Sequence, residues 1–304
     1  MAVITVHNWP EFITAVGTSG AEVEFPHDST YLRKTPDTSV DPSKLYVDVN
    51  GIVQTNVQAE DLADLYENTF VLDANGYAPE GLSSPISIVC ASINGFGGTI
   101  KNLASSSANI IETYSFVSFT GIAFLNVRCM NSYFFVSYRN SGWGAIKNCV
   151  FSGRIEGTNT CRFLWTSLHH FEKCAFNVQL YGAGIFAQNN ESRDDWLDFN
   201  TCRINTDDRR PATTYAERYN VRNCYWTGTH SAYITVEMSN CDYTIFDLEC
   251  ADISGNNTTI AAYLFVNSEK CPSTNGIAVT TAQLKDPACM QSKGLPVEMP
   301  AGTR

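Results

Sequence analysis

The segment Ile146–Phe151, IKNCVF, decides how the chain is read, because its pattern returns. Written as apolar, two residues, cysteine, one residue, apolar, it recurs at Phe171, Cys174 and Phe176, at Phe199, Cys202 and Ile204, and at Val221, Cys224 and Trp226. An earlier copy, FTGIAF, carries Phe119, Ile122 and Phe124, with isoleucine in the cysteine position. The middle positions 122, 149, 174, 202 and 224 are 27, 25, 28 and 22 residues apart. Self-similarity at a period of about 20 to 50 residues marks a solenoid, propeller or array. The two-residue step from cysteine to the next apolar residue is the period of a strand, and the surroundings are β-branched, aromatic and Asn-rich. One strand-rich turn of this length fits a coil of a right-handed parallel β-helix. Its coils lie about 4.8 Å apart, so equivalent side chains stack. The letters therefore recur because each rung of a narrow interior asks for the same size and polarity. Ile122, Cys149, Cys174, Cys202 and Cys224 are expected to form an interior ladder. Asn148, Asn200 and Asn223 are expected at the turns, since asparagine tolerates the left-handed backbone.

Working outward, ISIVCASINGFGGTIKNLA (Ile86 to Ala104) reads as an early coil with Gly95, Gly97 and Gly98 at a turn. Cys250, 26 residues after Cys224, reads as the mark of a distorted last coil. A solenoid needs a cap at each end. At the front, Asn8 can N-cap a short helix with Pro10 in its first turn and Glu11 at the third position, burying Trp9, Phe12, Ile13 and Val16. Residues 20–84 are irregular, with a short helix expected around AEDLADLYEN. They suit either wide first coils or a separate head. At the back, Thr281 can cap one turn, and Asp286 with Pro287 can start a helix that stops at Gly294. The expectation is an all-β chain: a single right-handed parallel β-helix of about seven to nine coils, by its repeat length. Residues 1–85 form an N-terminal cap and irregular first coils, 86–254 the β-helix, and 255–304 a short C-terminal helical extension.

Composition narrows the partners. The formal charge is −11, so a phosphate backbone would be repelled and nucleic acid is excluded as a partner. No run of about 18 apolar residues predicts membrane insertion, and MAVITVHNWPEF lacks the basic and apolar regions of a signal peptide, which predicts assembly in a cytoplasm. The 11 cysteines include no C-x-x-C pair, which predicts buried free thiols rather than disulfides or zinc. No phosphate loop, G-x-S-x-G elbow or H-E-x-x-H motif occurs, and no metal or cofactor is expected.

The stretch TTAQLKDPACMQSKGLPV resembles the tail that often follows β-helical repeats in bacteriophage tail and virion-surface proteins and in some bacterial surface proteins. It matches at Thr281, Ala282, Gln283, Leu284, Lys285, Asp286, Gly294, Leu295 and Pro296, and departs at Pro287. VHNWPEF is similar to the capping start of many pectin-lyase-like phage proteins. The resemblance implies a virion-surface component such as a tail or fibre protein, a homotrimer that meets other virion proteins and host-surface glycan. It carries no activity with it. Glycan-cleaving members of this fold use paired carboxylates on an outer face. Asp195, Asp207, Asp208 and His230 are the candidates here, for Asn205-Thr206-Asp207 resembles a polygalacturonase motif and His230 falls about one coil later, over Asp207. The remaining motifs of that family are missing or out of order, so the favoured reading is non-enzymatic, with a polysaccharide depolymerase as the alternative. Trp143, Trp165 and Trp196 are candidates for stacking on sugar rings. Trp226 belongs to the interior ladder, and Tyr133, Phe134, Phe135 and Tyr138 form a candidate interface strip.

Overall fold

The structure, a computed structural model, describes residues 2–35, 44–54, 64–138, 144–157, 161–165, 169–182, 184–188, 197–210, 216–237, 243–255, 263–266 and 277–293. The chain is an all-β parallel β-helix built from three stacked faces. The first face runs in parallel register through Val3–Thr5, Glu22–Glu24, Ser92–Asn94, Ser118–Thr120, Gly144–Lys147, His169–Glu172, Leu197–Asn200 and Ala216–Arg222. The second stacks Val71–Asp73, Thr99–Lys101, Ala123–Met130, Val150–Gly157, Ala175–Gly182 and Arg203–Asp208. The third holds Ile86–Ile88, Ile111–Thr113, Tyr133–Ser137, Arg162–Trp165 and Ile185–Gln188.

The repeated motif wraps the corner between the first and second faces. Its first apolar residue ends the first face and points inward, and its last begins the second. Phe171 and Phe199 stack at 5.3 Å on one side, while Phe124, Phe151 and Phe176 stack at 5.3 and 4.9 Å on the other. Ile122, Cys149, Cys174, Cys202 and Cys224 are all at most 1% exposed at the corner between them. Each residue after a ladder member donates its N–H to the ladder carbonyl one turn back: Val150 to Ile122, Ala175 to Cys149, Arg203 to Cys174 and Tyr225 to Cys202. The ladder is thus in register. Burial pushes the thiols of Cys174, Cys202 and Cys224 far above their ordinary range, so they behave as small apolar side chains. The cysteines among the described residues are free.

Immediately before each ladder member the backbone turns left-handed, at Gly121, Asn148, Lys173, Thr201 and Asn223, with φ between 50° and 65°. Asn148 and Asn223 sit where expected. Asn200 does not: it is the last residue of the strand Leu197–Asn200, and Thr201 takes the turn. Cys250 does not continue the ladder either. Thr244 occupies that slot, its hydroxyl 3.4 Å from both the Cys224 amide and the Val221 carbonyl.

About five turns carry a strand on all three faces, fewer than the repeat length suggested. Among the described residues the third face ends at Ile185–Gln188. The single strands Tyr225–Glu237 and Tyr243–Gly255 then run through both the second and first faces. This explains the drift of the period: the steps from Cys202 to Cys224 and on to Thr244, 22 and 20 residues, belong to turns with one strand fewer. Tyr263–Val266 and Ile277–Ala278 add two more rungs to the second face.

At the front, α1 (Trp9–Val16) has Asn8 as N-cap, with Oδ1 accepting from the Glu11 amide at 3.0 Å. Glu11 reaches back to the His7 amide at 2.8 Å. Trp9, Phe12 and Val16 are buried by this helix, and Ile13 is partly buried. Residues 20–84 supply first rungs of two faces and a small antiparallel sheet of Leu32–Lys34, Tyr46–Val47, Val53–Gln54 and Tyr66–Asn68. The expected helix there is corrected at its end, since Tyr66–Asn68 is a strand; residues 59–63 lie outside the described residues. At the back, α2 (Thr281–Leu284) is capped by Thr280 rather than Thr281, because the reciprocal bonds with Gln283 require that register. Asp286 caps α3 (Pro287–Ser292) as expected, and Gly294 lies outside the described residues.

Candidate functional site

The alternation of the solenoid sorts the candidate residues. Asp195, Trp143 and Trp196 lie outside the described residues. Asp208 is next in rank to Leu180 on the inward side of the second face, and its side chain is fully buried. His230 is also fully buried and stands beside Asp208, not Asp207, which pairs with Thr229. The expected stacking of His230 over Asp207 is therefore corrected by one residue, and one residue on a strand exchanges inside for outside.

Inside, Asp208 and His230 join Arg210, Glu217 and Tyr219 in a buried network. Arg210 donates Nε and Nη2 to the two oxygens of Asp208 at 2.8 and 2.5 Å, and Nη1 to Glu217 at 3.3 Å. The Tyr219 hydroxyl donates to Glu217, and His230 Nε2 lies 2.7 Å from the same carboxylate. Ser231 donates its amide and hydroxyl to Asp208. Burial alone would raise both carboxyls; hydrogen bonds and charge from Arg210 outweigh it at Asp208, as His230 and Arg210 do at Glu217, and both are held below the ordinary carboxylate range. The side chains of Asp208, Arg210, Glu217 and His230 are each at most 4% exposed, so the bonds among them bear on folding. Asp207 points outward, where Arg209 holds it at 2.8 Å and leans towards the Tyr181 ring, over which Arg154 lies at 3.9 Å.

The third face presents a different surface. Phe134 and Phe135, expected in an exposed strip, are buried, with Phe134 stacked on Phe163 at 4.9 Å. Tyr133 and Tyr138 remain half-buried and exposed. Trp165 stands in the rank Glu112, Val136, Trp165 and meets Tyr133 edge-on at 5.1 Å and Tyr138 at 6.2 Å. Tyr138 in turn stacks on Tyr114 at 5.1 Å with rings 18° from parallel. Tyr114 and Tyr138 are 51% and 44% exposed, so the strip opens to solvent.

Glu112, only 8% exposed, fixes both tyrosines. The Tyr114 hydroxyl donates to Oε2 at 2.6 Å and the Tyr138 hydroxyl to Oε1 at 3.3 Å. Asn109 donates Nδ2 to Oε1 at 2.7 Å, and its Oδ1 accepts the Tyr133 amide at 3.3 Å. The hydrogen bond to Glu112 pushes the Tyr114 hydroxyl up to about 12, and burial followed by Glu112 raises that of Tyr138, so both stay protonated. Reading the sequence for tryptophans found Trp165 but missed Glu112, Asn109 and Tyr114. The step from Tyr114 to Tyr138, which spans one turn, carried the signal.

Comparison with family models, with curated proteins and with solved structures finds no match. Among the described residues no group of three or more His, Cys, Asp or Glu is placed to hold a metal ion, and no helix is long and apolar enough to cross a membrane.

Proposed function

We propose that this chain is a non-enzymatic, rigid component of a bacteriophage particle surface that holds the Tyr114, Tyr138, Trp165 strip out to a glycan. The observation that carries the reading is the strip itself: two exposed tyrosines tethered through Glu112, with the half-buried Trp165 ring against Tyr138, on a stacked scaffold. Such rings offer large contact area at little entropic cost. The two ends of the chain, with their resemblance to capping segments of phage β-helices, support the virion assignment. Free, buried thiols suit assembly in a host cytoplasm. Of the carboxylates considered for catalysis, Asp208 is enclosed and Asp207 is paired with Arg209, an arrangement that favours binding over cleavage.

The test is co-sedimentation of the purified protein with polysaccharide extracted from bacterial surfaces, followed by an assay for reducing ends. Retention without release supports the proposal, and Trp165→Ala should abolish retention. Release of reducing ends would replace it with a depolymerase. The resemblance further implies a homotrimer, so light scattering should give three times the 33.5 kDa chain mass. A monomeric mass would remove that part.

A further inference from the structure

The hydrogen-bond polarity of the strip restricts what it can hold. Each tyrosine hydroxyl has one proton and two lone pairs. Tyr114 and Tyr138 both direct their proton to Glu112, so towards solvent their oxygens can only accept. Tyr138 already accepts from Asn109 at 3.2 Å. Glu112 Oε1 receives two donors, while Oε2 receives the Tyr114 hydroxyl. The centre of the strip is thus aromatic faces edged with acceptors around a nearly buried negative charge. Arg162 is in register with Tyr133 at one margin and donates Nη1 to the Cys161 carbonyl at 3.4 Å. On the second face, Arg128 and Arg154 share Glu156 at 3.2 and 2.6 Å, and Arg209 holds Asp207.

Resting on the glycan reading above, we propose that the strip selects uncharged, hydroxyl-rich glycans and rejects acidic ones. A sugar hydroxyl donates to the outward lone pairs of Tyr114 and Tyr138, while the C–H faces of the rings lie on the aromatics. A uronate or sulfate would place its anion beside Glu112, on a chain whose formal charge is −11. Like-charge contact of that kind disfavours binding, and no outward proton of either tyrosine offsets it. Tyr114, Tyr138 and Trp165 occupy three successive turns, a span of about 10 Å at the usual strand spacing, enough for about two or three pyranose rings.

The experiment is a glycan array of neutral and acidic oligosaccharides, followed by calorimetry on the best hexamer of each class at 0.05 and 0.5 M NaCl. The expected result is binding of neutral hexamers only, unchanged within about two-fold by salt, because no ion pair is involved. Trp165→Ala should weaken it at least about ten-fold and Trp165→Phe less, each variant being checked for an unaltered melting transition. Tyr138→Phe, which keeps the ring and removes the acceptor, should weaken it several-fold. Binding of acidic hexamers that is lost in Trp165→Ala would overturn the ligand class and leave the strip as a glycan site. Absence of binding across the array, or binding indifferent to Trp165→Ala, would overturn both.

Discussion

Between Ile86 and Gln188 each turn has three strands around a dry interior of stacked phenylalanines. Between Arg203 and Gly255 the described strands make up only two faces and enclose charged side chains. The same inward rank passes through both regions. It reads Cys129, Ile155 and Leu180 in the first, then Asp208, with His230 and Cys250 in register above it. Polarity changes where the third sheet ends. Removing a strand shortens the perimeter, and the buried Arg210 and Glu217 fold inward to fill the corner. The lesson is that the ladder residues set the stacking, whereas the length of each turn sets whether its interior can be apolar.

The largest effect is expected at the buried network. Arg210→Ala leaves two buried carboxylates without their guanidinium and should cost about 3 to 5 kcal/mol in denaturant unfolding. It should also change the pH response. Asp208 and Glu217 titrate below their ordinary range when folded, so they stabilise the native chain above that range. The contribution is lost as pH falls from that range down through their lowered folded values. The parent protein should therefore lose stability on the acid side, and Glu217→Gln should flatten that slope. A parent melting temperature that stays level from neutrality into the carboxylate range would contradict the network's role.

In the three-stranded region, Phe151→Ala opens a void between Phe124 and Phe176 and should cost about 3 kcal/mol. Here the loss should not vary with pH, since no ionised group lines the gap. Equal pH dependence of the two variants would erase the distinction between the regions. The smallest effect is a gain. Thr201 holds a left-handed φ of 56° with a β-branched side chain, and Thr201→Asn, matching Asn148 and Asn223, should raise stability by about 1 kcal/mol. An unchanged or lower unfolding midpoint would count against the corner strain.

The ladder was legible in the sequence because a stacked interior repeats its demands in successive turns, and five copies of one motif declare the register. The corner was half legible: asparagine marks it at 148 and 223, but Lys173 and Thr201 adopt it from register alone. The buried network escaped notice because Asp208 and His230 look like surface residues until the inward phase of their strands is known. Glu112 and Tyr114 escaped because their meaning comes from Tyr138, one turn away. Phe134, Phe135 and Val136 show the limit of alternation, since three successive residues of one strand are buried.

At the corners hydrogen bonds run both ways. The Asn148 amide donates forward to the Glu172 carbonyl, while the Val150 amide donates back to Ile122. A slip of one residue would break both sets, but excising residues 174–201 would join Lys173 to Cys202, spell FEKCRI, and offer each corner amide its counterpart carbonyl one storey away. The molecule is therefore indivisible at the scale of a residue and modular at the scale of a turn. Its length can change by whole storeys beyond Trp165, with the aromatic strip nearer to or farther from the end of the column and its own contacts untouched.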